Sequence, residues 1–234
     1  MSLLYGAANS TLLVDLGKSI TVNGGLSALH ALGVVFVVVG FAFKVSAVPF
    51  HTWAPDTYEG APSPITAFLS VASKAAGFIA LVTLLFVAFP EASSVWQPFI
   101  WVLSALTMTV GNVVALRQTN VVRMIAYSSI SQGGFVLMPL AVAGMAGVGD
   151  SALRAVVVYL LIYAATNLGM FAVIIAVSRK TRSGSVSSFG GLFSYAPGLG
   201  ALATIFLASL AGIPPLGGWI GKFAAFQTLI SAGT

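Results

Sequence analysis

The chain has 234 residues, 6% of them charged and 58% hydrophobic, where an ordinary soluble domain is about a quarter charged. So few charges cannot hold a surface in water, and the ten Lys and Arg behind the net charge of +5 sit singly in apolar runs or in short clusters between them, a pattern of membrane proteins that excludes a nucleic-acid partner. The absence of cysteine removes disulfides, iron–sulfur ligation and thiol catalysis, and the two histidines, His30 and His51, lie roughly 31 Å apart along a helix, too far to share a haem.

In chain order, six stretches reach the roughly 20 apolar residues that a membrane-spanning helix needs: 26–50, 65–89, 96–116, 122–143, 153–177 and 199–230. They lack the period-2 alternation of barrel strands, so the expectation is an all-α, polytopic transmembrane helix bundle forming a single domain over 1–234. No basic region followed by a cleavable apolar core opens the chain, so no signal peptide is expected. Residues 1–5 (MSLLY) resemble the tail of a further span, and both ends read as cuts through a larger protein. Arg117, Arg123, Arg179, Lys180 and Arg182 fall on one side and Lys18 and Arg154 on the other, which puts the first group in the cytoplasm. The loop 51–64 shares that side but carries Asp56, Glu59 and no basic residue, so something other than topology selects its residues.

Several spans carry polar stripes. Thr66, Ser70, Ser73, Lys74 and Gly77 share one face of the second span, Ser128, Ser131 and Gln132 one face of the fourth, and Tyr159, Tyr163, Thr166, Asn167 and Met170 one face of the fifth. For Ser, Thr and Gly, plain helix packing is a sufficient explanation. Lys74 is different: it is tenth in a 25-residue span, where a lysine costs about 2.5–3.5 kcal/mol on insertion scales and where its stem reaches neither interface. An amine held out of water is the kind that takes and releases a proton. Lys44 lies six residues before the end of its span, and its position alone fits snorkelling as well as a relay. Pro49 marks a helix break just beyond it. His51, at a membrane edge, is more simply a loop-ordering residue than a relay.

The last span contains AGIPPLGGWIGKF (211–223), in which Pro214, Pro215 and four glycines forecast a discontinuous helix with free backbone groups, the architecture of many transporter ion sites. Lys222 follows this break and Lys44 precedes its own, in helices of opposite direction, which suggests an inverted repeat.

The run FKVSAVPFHTWAPDTYEGAPSPITAFLSVASKAAGF (43–78) resembles the core signature of the antiporter-like membrane subunits of respiratory complex I (NADH:quinone oxidoreductase), in particular the subunit N branch, called subunit 2 in plastids and cyanobacteria. RMIAYSSISQGGF (123–135) and LAGIPPLGGWIGKF (210–223) resemble later parts of the same family, so the likeness covers the chain from about residue 26. It implies an antiporter-like fold of fourteen helices with inverted repeats and broken helices, of which this chain would span the end of the sixth to most of the twelfth. It places the family's seventh-, eighth- and twelfth-helix lysines on Lys44, Lys74 and Lys222. The glutamate that partners the seventh-helix lysine has no position here, and Gln132 stands where many relatives have His; an amide cannot titrate near neutral pH, so a relay there must run through water.

The expectation is therefore a multi-pass subunit of the cell (plasma) membrane that translocates protons through Lys44, Lys74 and Lys222, with His51, Ser70, Ser73, Ser128, Gln132 and Tyr163 as further polar relay candidates. It would work among other membrane-arm subunits and hold no cofactor itself, with NADH, FMN, iron–sulfur clusters and quinone in partner subunits. The alternatives are a subunit of a multisubunit cation/proton antiporter and a purely structural membrane-arm subunit. No charged or aromatic constellation suits an organic solute.

Overall fold

The computed structural model describes residues 1–22 and 25–233, and everything that follows refers to these. Two short helices, α1 (Ser2–Ala8) and α2 (Leu13–Val22), precede the first apolar stretch. Helix α3 (Ala28–Lys44) is capped by Ser27, whose hydroxyl accepts from the His30 amide, and α4 (Trp53–Gly60) follows after a non-helical interval. Helix α5 (Ser63–Phe68) runs through a π turn (Leu69–Ser73) into α6 (Lys74–Thr83) and a second π turn (Leu84–Ala88), making one apolar rod of 26 residues. Then come α7 (Ser93–Ala115), α8 (Val121–Leu137), which tightens into a 3₁₀ turn to Val142, and the 33-residue α9 (Gly149–Thr181). Helices α10 (Leu192–Tyr195), α11 (Pro197–Ala211) and α12 (Gly217–Ser231) complete the bundle. Among the described residues four helices are long and apolar enough to cross a membrane, the rods Ser63–Ala88, Pro90–Ala115, Val121–Val142 and Gly149–Thr181.

The first apolar stretch differs from its expected form. A single helix over 26–50 followed by a loop is not what the chain makes: helix α3 ends at Lys44, and residues 53–60 of the expected loop are helical. The cause is Pro49, whose ring would collide with the carbonyl four residues back, at Val45, so the helix stops just before that point. Ser46 takes a positive φ of 61° and the Val48–Pro49 bond is cis. The freed backbone is satisfied across the bundle, since the Val48 amide donates to Thr107 Oγ1 on α7 at 2.9 Å and Trp53 Nε1 donates to the Phe43 carbonyl at 3.0 Å. In the last stretch Pro215 stands four residues after Ala211, where α11 ends; Gly212 turns the chain at φ +88° and Pro214–Pro215 is cis.

Helix α8 is the most enclosed of the long helices, packed on α4, α7 and α9, and α9 also touches α5, α11 and α12. Small residues set the α7–α8 distance: a Cβ on Gly111 would fall 2.7 Å from the Ser131 amide nitrogen, and one on Gly134 2.8 Å from that of Met108. At one end of the bundle Arg123 Nη1 bridges Asp56 at 2.7 Å and Glu59 at 2.8 Å, while Asn120 caps α8 and donates to Glu59 at 3.0 Å. Val121 donates to the Gly184 carbonyl and Val186 to that of Thr119, so α4, the α7–α8 turn and the segment after α9 are laced together. The acidic residues of the 51–64 segment therefore serve as partners of Arg123.

Candidate functional site

Three lysines lie at the helix breaks and the π turn of this bundle, and one of them, Lys74, is buried. Lys74 is 4% exposed, and its Nζ donates to the Ser129 carbonyl at 2.8 Å and to Ser129 Oγ at 2.7 Å. Ser129 Oγ also accepts from Tyr163 OH at 2.8 Å, and that phenol lies 3.2 Å from the Ser70 carbonyl. Asn167 Nδ2 donates to Ser70 Oγ at 2.8 Å, closing a ring of polar groups from α5–α6, α8 and α9 around the amine. Among the described residues Arg123 has the ion pairs, and no carboxylate meets Lys74.

Lys44, the last residue of α3, is exposed on one flank and donates to Ser73 Oγ at 2.9 Å. The π turn explains how neighbouring residues serve two lysines: Ser73 closes it and meets Lys44, while Lys74 opens α6 and points to α8. Such one-turn widenings recur at functional sites because they re-aim side chains that a regular helix would stack. Gly77 makes room for the approach, since a Cβ there would sit 3.0 Å from Lys44 Cγ and 3.1 Å from Val45 Cγ1.

Lys222 lies in α12 but bends back to the second break. Its Nζ donates to the Leu210 and Ala211 carbonyls, both at 3.0 Å, and rides 4.5 Å from the Phe135 ring centroid. These are carbonyls left free by the end of α11. Leu210 also accepts from Gln132 Nε2 at 3.0 Å, and Gln132 Oε1 accepts from Tyr159 OH. A cavity of about 400 Å³ beside Lys222 is lined by Asn112, Ser128 and Gln132 among others. The break is held closed by Gly218, whose amide donates to Ser209 Oγ at 3.0 Å and whose missing Cβ would lie 1.7 Å from the Ser209 carbonyl oxygen.

The expected residues thus divide. Lys74, Ser70 and Tyr163 form one cluster, Lys44 and Ser73 adjoin it, and Gln132 joins Lys222. Ser128 faces the Lys222 cavity rather than Lys74, whose partner is Ser129, a residue that spacing had not singled out. His51 joins neither cluster: its buried Nδ1 has no partner among the described residues, and its ring lies 6.4 Å from that of Tyr127. Pro49, Pro214 and Pro215 lie in the breaks. Between the Lys74 and Lys222 clusters is a cavity of about 10 Å³ lined by Gln132, Tyr159, Tyr163, Thr166, Ser209 and Gly218, close to the space one water needs.

Residues 1–234 match the family model described as NADH:quinone oxidoreductase/Mrp antiporter, TM. The chain is 44% identical over 231 residues to NADH-quinone oxidoreductase subunit N of Moorella thermoacetica, covering 99% of itself and 47% of that protein. It is 48% identical over 228 residues to NAD(P)H-quinone oxidoreductase subunit 2 of Rippkaea orientalis, covering 97% and 43%. A chain in the structure of respiratory complex I from Thermus thermophilus with bound aureothin superposes with a TM-score of 0.79 at 34% identity, over 100% of this chain and 48% of that one. The chain spans about half the length of the curated relatives it matches.

Proposed function

This chain belongs to the NADH:quinone oxidoreductase/Mrp antiporter transmembrane family, and on that premise we propose that it is part of a proton-translocating membrane-arm subunit of an NADH:quinone oxidoreductase. Its place is the plasma membrane beside other membrane-arm subunits, with NADH, FMN, iron–sulfur clusters and quinone handled by those partners. The observation that carries this reading is the buried amine of Lys74, which donates to the hydroxyl and the carbonyl of Ser129 instead of to a carboxylate. A salt-bridged lysine is locked in its charged form, whereas a serine oxygen can accept from an ammonium or donate to an amine.

In this mechanism Lys44 exchanges protons at Ser73, Lys74 exchanges them through Ser129 and Tyr163, and Lys222 does so at the second break. Gln132 does not titrate, so the link from Tyr163 to Lys222 runs through water in the small cavity between them. Redox events in partner subunits alter the field at the lysines and thereby drive the transfers.

The test is Lys74→Met in the complete complex, which keeps most of the side chain's length and removes its titration. Assembly is expected to persist while proton translocation per NADH oxidised, measured in sealed vesicles with a quantified amount of complex, falls sharply. Lys74→Arg should impair pumping too, because guanidinium keeps its proton throughout this pH range. Normal pumping in the Met variant would falsify the relay and leave Lys74 a structural residue. Pumping that depends on sodium would instead favour the cation/proton antiporter branch of the family.

A further inference from the structure

At the end of the bundle away from Arg123, a cleft of about 250 Å³ separates the first turns of α9 from the last turns of α12. Ser151, Arg154 and Val158 line it from α9, and Gln227, Thr228 and Ser231 from α12; no lining residue is acidic. The three hydroxyls donate to carbonyls of their own segments, so the donors left for a ligand are the Arg154 guanidinium and the Gln227 amide, both on exposed residues. Asp150 is one turn before Arg154, yet among the described residues the salt bridges are those of Arg123. Arg154 is a cation beside a polar cleft without a carboxylate.

Its depth identifies what it meets. The centre of α9 is fixed by Tyr163 and Asn167, which surround Lys74, and Arg154 lies about 16 Å from the helix midpoint at roughly 1.5 Å per residue. That is the edge of a hydrocarbon core about 30 Å thick, where phosphates begin. Toward the membrane centre from the cleft, Leu161 on α9 and Ile220 on α12, each at helical spacing from the lining residues of its own helix, are exposed and apolar, the surface an acyl chain requires. We propose that this cleft seats an anionic phospholipid of the leaflet opposite the Arg123 side, its phosphate on the Arg154 fork and its chain along Leu161 and Ile220. The inference needs the chain to span a membrane but does not depend on the proton relay.

The test compares wild type, Arg154→Gln and Arg154→Lys in the full complex, purified in detergent and washed, with retained phospholipid counted by mass spectrometry. Arg154→Gln should retain about one phospholipid fewer per complex, and Arg154→Lys should keep it. Added phosphatidylglycerol should raise the Tm of the wild type more than that of Arg154→Gln, and inorganic phosphate should raise neither. Pumping per NADH should match wild type in all three, so failure here is distinct from failure of the relay. Equal lipid counts, equal stabilisation by phosphatidylglycerol, displacement of the lipid by inorganic phosphate, or a protein carboxylate on Arg154 in the assembled complex would each overturn the assignment.

Discussion

Ser129 carries more of the candidate site than its neighbours, because one side chain takes hydrogen bonds from both Lys74 and Tyr163 while its carbonyl takes another from the amine. Ser129→Ala removes the hydroxyl and leaves the carbonyl, so Lys74 keeps one partner and the fold survives. Hydrogen bonds to charged groups are worth about 1.5–3 kcal/mol, which sets the expected loss of pumping at roughly tenfold or more in vesicle assays, with Ser129→Thr restoring most of it. An unchanged rate in the alanine variant would take Ser129 out of the path. Gly218 tests the second break in the same way. A methyl group there meets the Ser209 carbonyl carbon at 2.6 Å as well as its oxygen, both backbone atoms that cannot swing aside. Gly218→Ala should therefore lower stability by about 1–3 kcal/mol, seen as a reduced Tm and less assembled complex.

Among the elements, the π turn Leu69–Ser73 decides which way each lysine's partner faces. Ala72 is exposed within it, so deleting that residue removes the extra position without emptying the core. The turn should then close to an α-helical one, rotating Ser70 and everything before it by about 100° relative to Lys74. Complex bearing this deletion should insert but pump little, whereas wild-type pumping would show that the register does not matter. The widened turn was not legible beforehand, since Leu-Ser-Val-Ala-Ser reads as ordinary helix and it is tertiary packing that opens it. The breaks were legible, because a proline forbids the helix locally whatever surrounds it; their upstream edges at Lys44 and Ala211 follow from the carbonyl four residues before each ring. Lys74 could be read from its depth alone, but choosing Ser129 over Ser128 required the rotation of α8 about its axis, which Gly111 and Gly134 fix by contact with α7. Arg123 and its two carboxylates, 64 and 67 residues away in sequence, left no local sign of their pairing.

For the molecule as a whole, the lacing of α4, the α7–α8 turn and the segment after α9 puts three connections on one side, which the charge bias predicts to be cytoplasmic. The chain has no cysteine, so single cysteines report position cleanly. Glu91 and Ser187 are exposed in short turns at opposite ends of the bundle. On intact cells an impermeant thiol reagent should label Glu91→Cys and spare Ser187→Cys. The reverse pattern would invert the orientation and move the Arg154 cleft to the inner leaflet. Neutralising the lacing with Arg123→Gln leaves Asp56 and Glu59 facing each other without a cation, and the expected result is a lower yield of assembled complex, restored in part by Asp56→Asn.

On the proposed relay, the shared oxygen of Ser129 also sets a rhythm for transport. While it accepts from both the ammonium and the phenol, its own hydrogen must point away from each of them. Once the amine has given up its proton, that hydrogen must swing round before the next transfer can leave in the same direction. Each passage along that relay is therefore a hop followed by a turn, and a single buried hydroxyl rotor stands between one transfer and the next.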